Sequence, residues 1–190
     1  DCTPLIISLS LILYCFKFLT AAIAAAVSSA CKDDATVKTI LCDATKYLSA
    51  NSGAPMTIAI NQALAWADEY REYRSFREHA YSCSKEFFQL AKNNSLETVP
   101  LTLALFKIAK GDLEKSVTYA ANFGRDTDTM AAMVGAIAGA FGSDDIIKPR
   151  WKEKINNDNY QGSDIVSQSL TNLISKIGEN LSFCLLYTSP

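Results

Sequence analysis

A chain of 190 residues with 49% hydrophobic and 20% charged residues can bury one sizeable core, which excludes a polypeptide disordered throughout. Its formal net charge of -2 and pI near 5.4 give no basic field of the kind that neutralises a phosphate backbone, so nucleic acid is not an expected partner. Six cysteines (Cys2, Cys15, Cys31, Cys42, Cys83, Cys184) form no Cys-x-x-Cys pair and have no histidine at ligand spacing, which argues against zinc and fits a reducing cytoplasm.

Leu5 to Phe16 is strongly apolar, and after Lys17 the apolar character resumes from Phe18 to Val27. A membrane helix wants about 20 uninterrupted apolar residues, and Lys17 divides this run. A secretory signal wants a basic region after a start Met, and the chain opens on Asp1. A buried core helix or disrupted sequence is therefore favoured over a membrane or signal segment, and residues 1–17 are set apart as non-native or disrupted.

Helical periodicity dominates the rest of the chain, and no alternating runs joined by a hairpin dipeptide occur, so the expected fold class is all-α. It is read as an orthogonal helical bundle, incomplete as a domain. A first helix over Phe18 to Cys31 is Ala-rich and apolar on nearly all sides, and so belongs in the core. Lys32, Asp33 and Asp34 break it. The next, Ala35 to Ala50, spaces Val37, Ile40, Leu41, Ala44 and Leu48 for one buried face. Pro55 then opens a helix from Met56 to Tyr70, and another is expected from Ser75 to Lys92.

His79, the only histidine, sits there among Arg74, Arg77, Glu78 and Lys85; with no orienting partner in sequence it reads as a helix-surface residue, and a Ser–His–Asp machine is not supported. Pro100 suits the first turn of an apolar helix from Leu101 to Lys110. Asp112 is a good N-cap for the helix through Ala121, which Gly124 ends.

From Met130 to Phe141 the chain is small and apolar, with Ala132, Gly135, Ala136, Gly139 and Ala140 on one helical face, where another helix could approach closely. Gly142 ends this helix, Pro149 and Trp151 mark a turn, and Asp164 to Ile177 is a final amphipathic helix. Phe183 to Pro190 returns to apolar character after a polar stop, and residues 181–190 are read as a tail in which Cys184 to Pro190 is a cloning scar. Residues 18–180 then form a single domain.

The segment Asp126, Thr127, Asp128, Thr129 carries the chemistry. Two carboxylates at i and i+2 share no face within an α-helix. They converge if Gly124 provides a sharp turn and Asp126 lies just outside the helix start, with the Thr129 hydroxyl added from the first turn. Three hard oxygens so arranged suit Mg²⁺. Ordinary helix capping by Asp126 or Asp128 is the competing reading. The aspartate-nucleophile phosphatase pattern wants a hydrophobic strand before its first Asp, whereas here a helix precedes.

The longer string from Asn122 to Thr129, continued by Met130 to Ala140 and by Ile147 to Trp151, closely resembles the C-terminal signature of the ADP-ribosylglycohydrolase family. The Ala-rich first helix, Pro100 to Leu105, and Gly111 to Lys115 resemble it as well, so that the likeness runs from Phe18 to Ile177. The resemblance implies an all-α fold with a binuclear Mg²⁺ centre, and hydrolysis of the glycosidic bond between ADP-ribose and a protein side chain or small acceptor.

It matches Asp126, Asp128 and Thr129 to metal ligands and implies that the remaining ligands and the general base lie in an N-terminal part absent from this chain; Lys32, Asp33 and Asp34 lack the Thr of the expected Thr-Asp-Asp stretch. An ADP-ribosylated protein or an ADP-ribose-like small molecule is the implied partner, with no membrane. Arg125 is read as an ordinary surface ion pair outside the site, and Asn122 as a structural cap. The alternative is a non-catalytic half-domain, or a degenerate relative, that binds an ADP-ribose-like ligand or a partner chain.

Overall fold

Helix after helix arises from local signals that the side chains satisfy. The computed structural model describes residues 21–157 apart from 49, 52, 89–93 and 143–145, together with 168, 169, 172 and 175. The chain divides into two units, Asp1–Ile146 and Ile147–Pro190. The described residues form helices without a strand, as the periodicity requires. In the first unit these are α1 (21–30), α2 (Val37–Lys46), α3 (Ala54–Tyr70), α4 (Tyr73–Ser82), α5 (Ser84–Phe87), α6 (Ser95–Ile108), α7 (Leu113–Phe123) and α8 (Thr127–Phe141). The second unit contains α9 (Pro149–Asn157).

Caps set the starts. The Thr36 hydroxyl accepts from the Thr39 amide while the Thr39 hydroxyl accepts from the Thr36 amide, a reciprocal capping box that opens α2 two residues later than its apolar pattern suggests. Pro55 sits in the first turn of α3, where its missing N–H costs nothing. Asp112 accepts from the Lys115 amide at 2.8 Å and starts α7.

Several boundaries differ from the sequence expectation. Asn94 Oδ1 accepts from the Leu96 amide, so α6 begins at Ser95 and Pro100 lies inside it. The helix expected from Ser75 to Lys92 breaks at Cys83, whose amide closes α4 on the His79 carbonyl before the short α5 starts. Pro149 opens α9 rather than a turn, the first-turn preference of proline prevailing over its role as a breaker. Most of Asp164 to Ile177 and all of residues 1–17 and 181–190 lie outside the described residues.

At the centre of the first unit, α6 is buried without a break from Glu97 to Phe106 and packs against α2, α3, α7 and α8. Such all-round burial needs an apolar surface on every face, which Val99, Leu101, Leu103, Ala104, Leu105 and Phe106 supply. The buried Thr102 hydroxyl donates to the Thr98 carbonyl at 2.7 Å, so it costs no unsatisfied donor. By contrast α1 buries Ala22, Ala25, Ala26, Ser29 and Ala30 but exposes Ala24 and Ser28, a one-sided helix rather than one apolar all round.

α8 pairs with α7 and with α6 through Met130, Met133, Val134, Ile137 and Ala138. The small-residue face points the other way: Ala132, Ala136 and Gly139 are exposed, and a Cβ on Gly139 would meet nothing. At Gly135 a Cβ would stand 3.5 Å from Val117 of α7, an ordinary van der Waals contact. Burial scales with apolar area, so the bulky face wins the core over the small one.

Candidate functional site

The candidate site is the turn that joins α7 to α8. Gly124 ends α7 with φ 97° and ψ -178°, a conformation essentially reserved for glycine. A side chain there would also fall on Tyr81 Oη. Arg125 comes next with φ 67°, the left-handed region that a residue with a Cβ enters at a cost. Two consecutive positive-φ residues reverse the chain and deliver Asp126 to the N-cap of α8, outside the helix, with φ -95° and ψ 66°.

Distant residues hold this turn. The Phe123 carbonyl accepts hydrogen bonds from Arg77 Nε at 2.7 Å and Tyr81 Oη at 3.2 Å, both from α4. The Arg77 guanidinium lies 4.6 Å from the centre of the Tyr81 ring, so the two donors brace each other. On the other side Arg125 makes a bidentate pair with Glu97 of α6, Nε to Oε1 at 2.6 Å and Nη2 to Oε2 at 2.8 Å. The Glu97 side chain is 0% exposed and that of Arg125 24% exposed. The hydrogen bonds that Glu97 accepts hold the Arg125 guanidinium above its ordinary pKa. The ordinary surface ion pair expected for Arg125 is therefore replaced by a bridge to the interior, which sequence alone could not show because 28 residues separate the partners.

Of the residues singled out in the sequence, Asp126 is 9% exposed, Asp128 is exposed in the first turn of α8, and Thr129 is half-buried one position on. Asp126 occupies the capping position, yet its side chain makes no capping hydrogen bond; only its carbonyl joins the helix, accepting from the Met130 amide at 3.1 Å. Capping by the carboxylate thus leaves Asp126 unexplained, while Asp128 sits where the helix dipole favours an acid. Two carboxylates and a hydroxyl on one turn are hard oxygen donors of the kind that Mg²⁺ takes. Among the described residues no group of three or more His, Cys, Asp or Glu side chains could hold a metal ion.

Asn122 is structural: its Nδ2 donates to the Thr118 carbonyl at 2.8 Å within its own helix. Asp33 and Asp34 are exposed in the turn after α1, beside the Lys32–Asp43 ion pair. His79 corrects the expectation of a plain surface residue. It is half-buried, stacked on Tyr70 at 4.3 Å and edge-on to Trp66 at 5.0 Å, and its Nε2 lies 3.6 Å from Cys83 Sγ one turn on. A cleft of about 330 Å³, lined by Tyr73, Arg74, Arg77, Glu78 and Asn122, lies where α4 meets the end of α7. Tyr73 stacks there on Tyr119 at 4.4 Å, and burial pushes its phenol up.

A family model for ADP-ribosylglycohydrolase matches residues 14–181, and the chain belongs to that family. Among curated proteins it is 35% identical over 77 residues to the protein YegU of Escherichia coli (strain K12), a stretch covering 40% of this chain and 23% of that protein. It is 37% identical over 68 residues to ADP-ribosylhydrolase ARH3 of Homo sapiens, covering 36% of this chain and 18% of the human protein. The bovine (Bos taurus) ADP-ribosylhydrolase ARH3 is 34% identical over 64 residues, or 34% of this chain and 17% of its own. The matched stretches therefore span about a fifth of these relatives. No solved structure gives a significant match. Among the described residues no helix is long and apolar enough to cross a membrane.

Proposed function

We propose that this chain carries one side of the metal site of a Mg²⁺-dependent hydrolase that cleaves the glycosidic bond between ADP-ribose and a protein side chain or small acceptor. The observation that carries the reading is Asp126: an acidic residue 9% exposed, at a helix start, whose side chain makes no capping hydrogen bond, inside a family match over residues 14–181. The helix cap does not use the Asp126 side chain, and a cation shared with Asp128 and Thr129 would engage it. Mg²⁺ bound there supplies a Lewis acid that orients ribose hydroxyls and water.

The residues of this chain have distinct tasks. Asp126 gives a carboxylate ligand from the helix start, and Asp128 an exposed one from the first turn. Thr129 adds a neutral oxygen from the same turn. Three protein oxygens leave most of a Mg²⁺ coordination shell to water, so this segment by itself should bind Mg²⁺ weakly.

The test compares wild type with Asp126→Ala and Asp128→Ala. Mn²⁺ affinity is measured by electron paramagnetic resonance on this chain, and ADP-ribose release from ADP-ribosylated protein on the protein with all ligands present. Loss of cation binding and of release in both variants supports the reading. Unchanged release in Asp128→Ala would return Asp128 to a helix-dipole role. Unchanged cation binding in both variants favours the non-catalytic half-domain.

A further inference from the structure

Glu97 stands out among the groups that the proposed chemistry does not use. It is a carboxylate with no exposed surface, carried by the most buried helix, in a run otherwise apolar or threonine. Burying an ion pair seldom stabilises a fold more than apolar side chains of the same volume would, whereas it does fix one geometry. What Glu97 fixes is the residue next to Asp126.

We infer that Glu97 and Arg125 form a positioning pair that sets the Asp126–Thr129 segment for cation binding, an inference that rests on the proposed metal site. Arg125 holds φ 67°, which a residue with a Cβ keeps only when its surroundings over-determine it. Those surroundings are specific. Two hydrogen bonds of 2.6 and 2.8 Å tie the Nε–Nη2 edge of the guanidinium to both oxygens of Glu97, and the Phe88 ring lies 4.9 Å from the guanidinium carbon. A fork held at two points cannot rotate about either, so the Arg125 Cα, and with it the peptide entering Asp126, takes its place from α6. Two residues earlier, Arg77 and Tyr81 fix the Phe123 carbonyl from α4. The turn is therefore clamped on both sides of Gly124 by two other helices, immediately before the proposed ligands.

Outer groups that orient metal ligands typically cost 10–100-fold in metal affinity when altered. Lysine keeps the charge of Arg125 but not the fork, and glutamine keeps the shape of Glu97 but not the charge. The experiment is Mn²⁺ titration of this chain by electron paramagnetic resonance for wild type, Arg125→Lys, Glu97→Gln and Asp126→Asn, with a melting curve and ¹H–¹⁵N spectrum of each metal-free variant.

The expected result is loss of binding in Asp126→Asn, and Mn²⁺ affinity lowered about 10–100-fold in Arg125→Lys with its melting curve little changed and its spectral shifts confined to residues near 124–129. Glu97→Gln gives the same pattern with a lower melting temperature, and should it fail to fold, Arg125→Lys decides alone. Affinity within twofold of wild type in a folded Arg125→Lys, beside lost binding in Asp126→Asn, overturns the positioning role and leaves the metal site standing. Binding unchanged in Asp126→Asn, or absent from wild type, removes the metal reading and this inference with it.

Discussion

Among the described residues two turns pair consecutive positive-φ residues after a helix, and they are held in opposite ways. After α6, Lys110 at φ 55° and Gly111 at φ 79° complete a Schellman close, with the Gly111 amide bonded to the Phe106 carbonyl and the Lys110 amide to the Lys107 carbonyl. Every bond that shapes that turn lies within five residues. After α7, Gly124 and Arg125 take up φ 97° and 67°, but Phe123 and Arg125 are held by Arg77, Tyr81 and Glu97, which lie 46, 42 and 28 residues away. A self-closing turn ends a helix, whereas a turn held from outside also places its successor, and the successor of the second turn is Asp126. The two aspartates that come next differ in the same sense, since Asp112 caps α7 and Asp126 caps nothing with its side chain.

Substitution separates the two turns most sharply at their non-glycine residues. Arg125→Gly relieves backbone strain but removes the bidentate pair with the buried Glu97, and it should lower stability by about 3 kcal/mol in urea unfolding. A loss under 1 kcal/mol would mean that the ion pair is energetically idle. Next in size are the glycines. Gly124→Ala and Gly111→Ala each force a Cβ into a left-handed conformation and a neighbour, Tyr81 Oη in one and the Phe141 ring in the other. Each should cost about 2 kcal/mol. Only Gly124→Ala should also weaken Mn²⁺ binding, and equal effects on the cation would dissolve the contrast.

Smaller still is the aspartate pair. Asp112→Ala should cost about 1 kcal/mol through its lost cap, while Asp126→Ala should stay within about 0.5 kcal/mol of wild type. Equal losses by thermal melting would make Asp126 a capping residue after all. Last, Lys110→Gly should stabilise by about 0.5 kcal/mol, the relief of left-handed strain being partly offset by the entropy that glycine adds to the unfolded chain.

Legibility in the sequence divides along the same line. Asp112, Pro55 and Gly124 announce their elements through interactions with near neighbours, and the structure keeps all three. The family likeness of the Asn122 to Thr129 string was legible too, because it is a contiguous run. Illegible were the long-range partners. Glu97 reads in sequence as an ordinary acid ahead of Pro100, and nothing nearby says that Asn94 starts the helix early and turns Glu97 inward. His79 lacked a visible partner because Trp66 and Tyr70 belong to the preceding helix. The small-residue face of α8 misled for a thermodynamic reason: periodicity shows which residues share a face, while the competing bulky face decides which one is buried.

The unbroken burial of α6 from Glu97 to Phe106 also bears on motion. Amide hydrogens shielded on every side exchange with solvent only when the whole unit opens, so this helix should set the slow limit of hydrogen exchange. The turn before Asp126 is tied to it through Glu97, and so should keep its shape through the smaller openings that loosen exposed ends and loops.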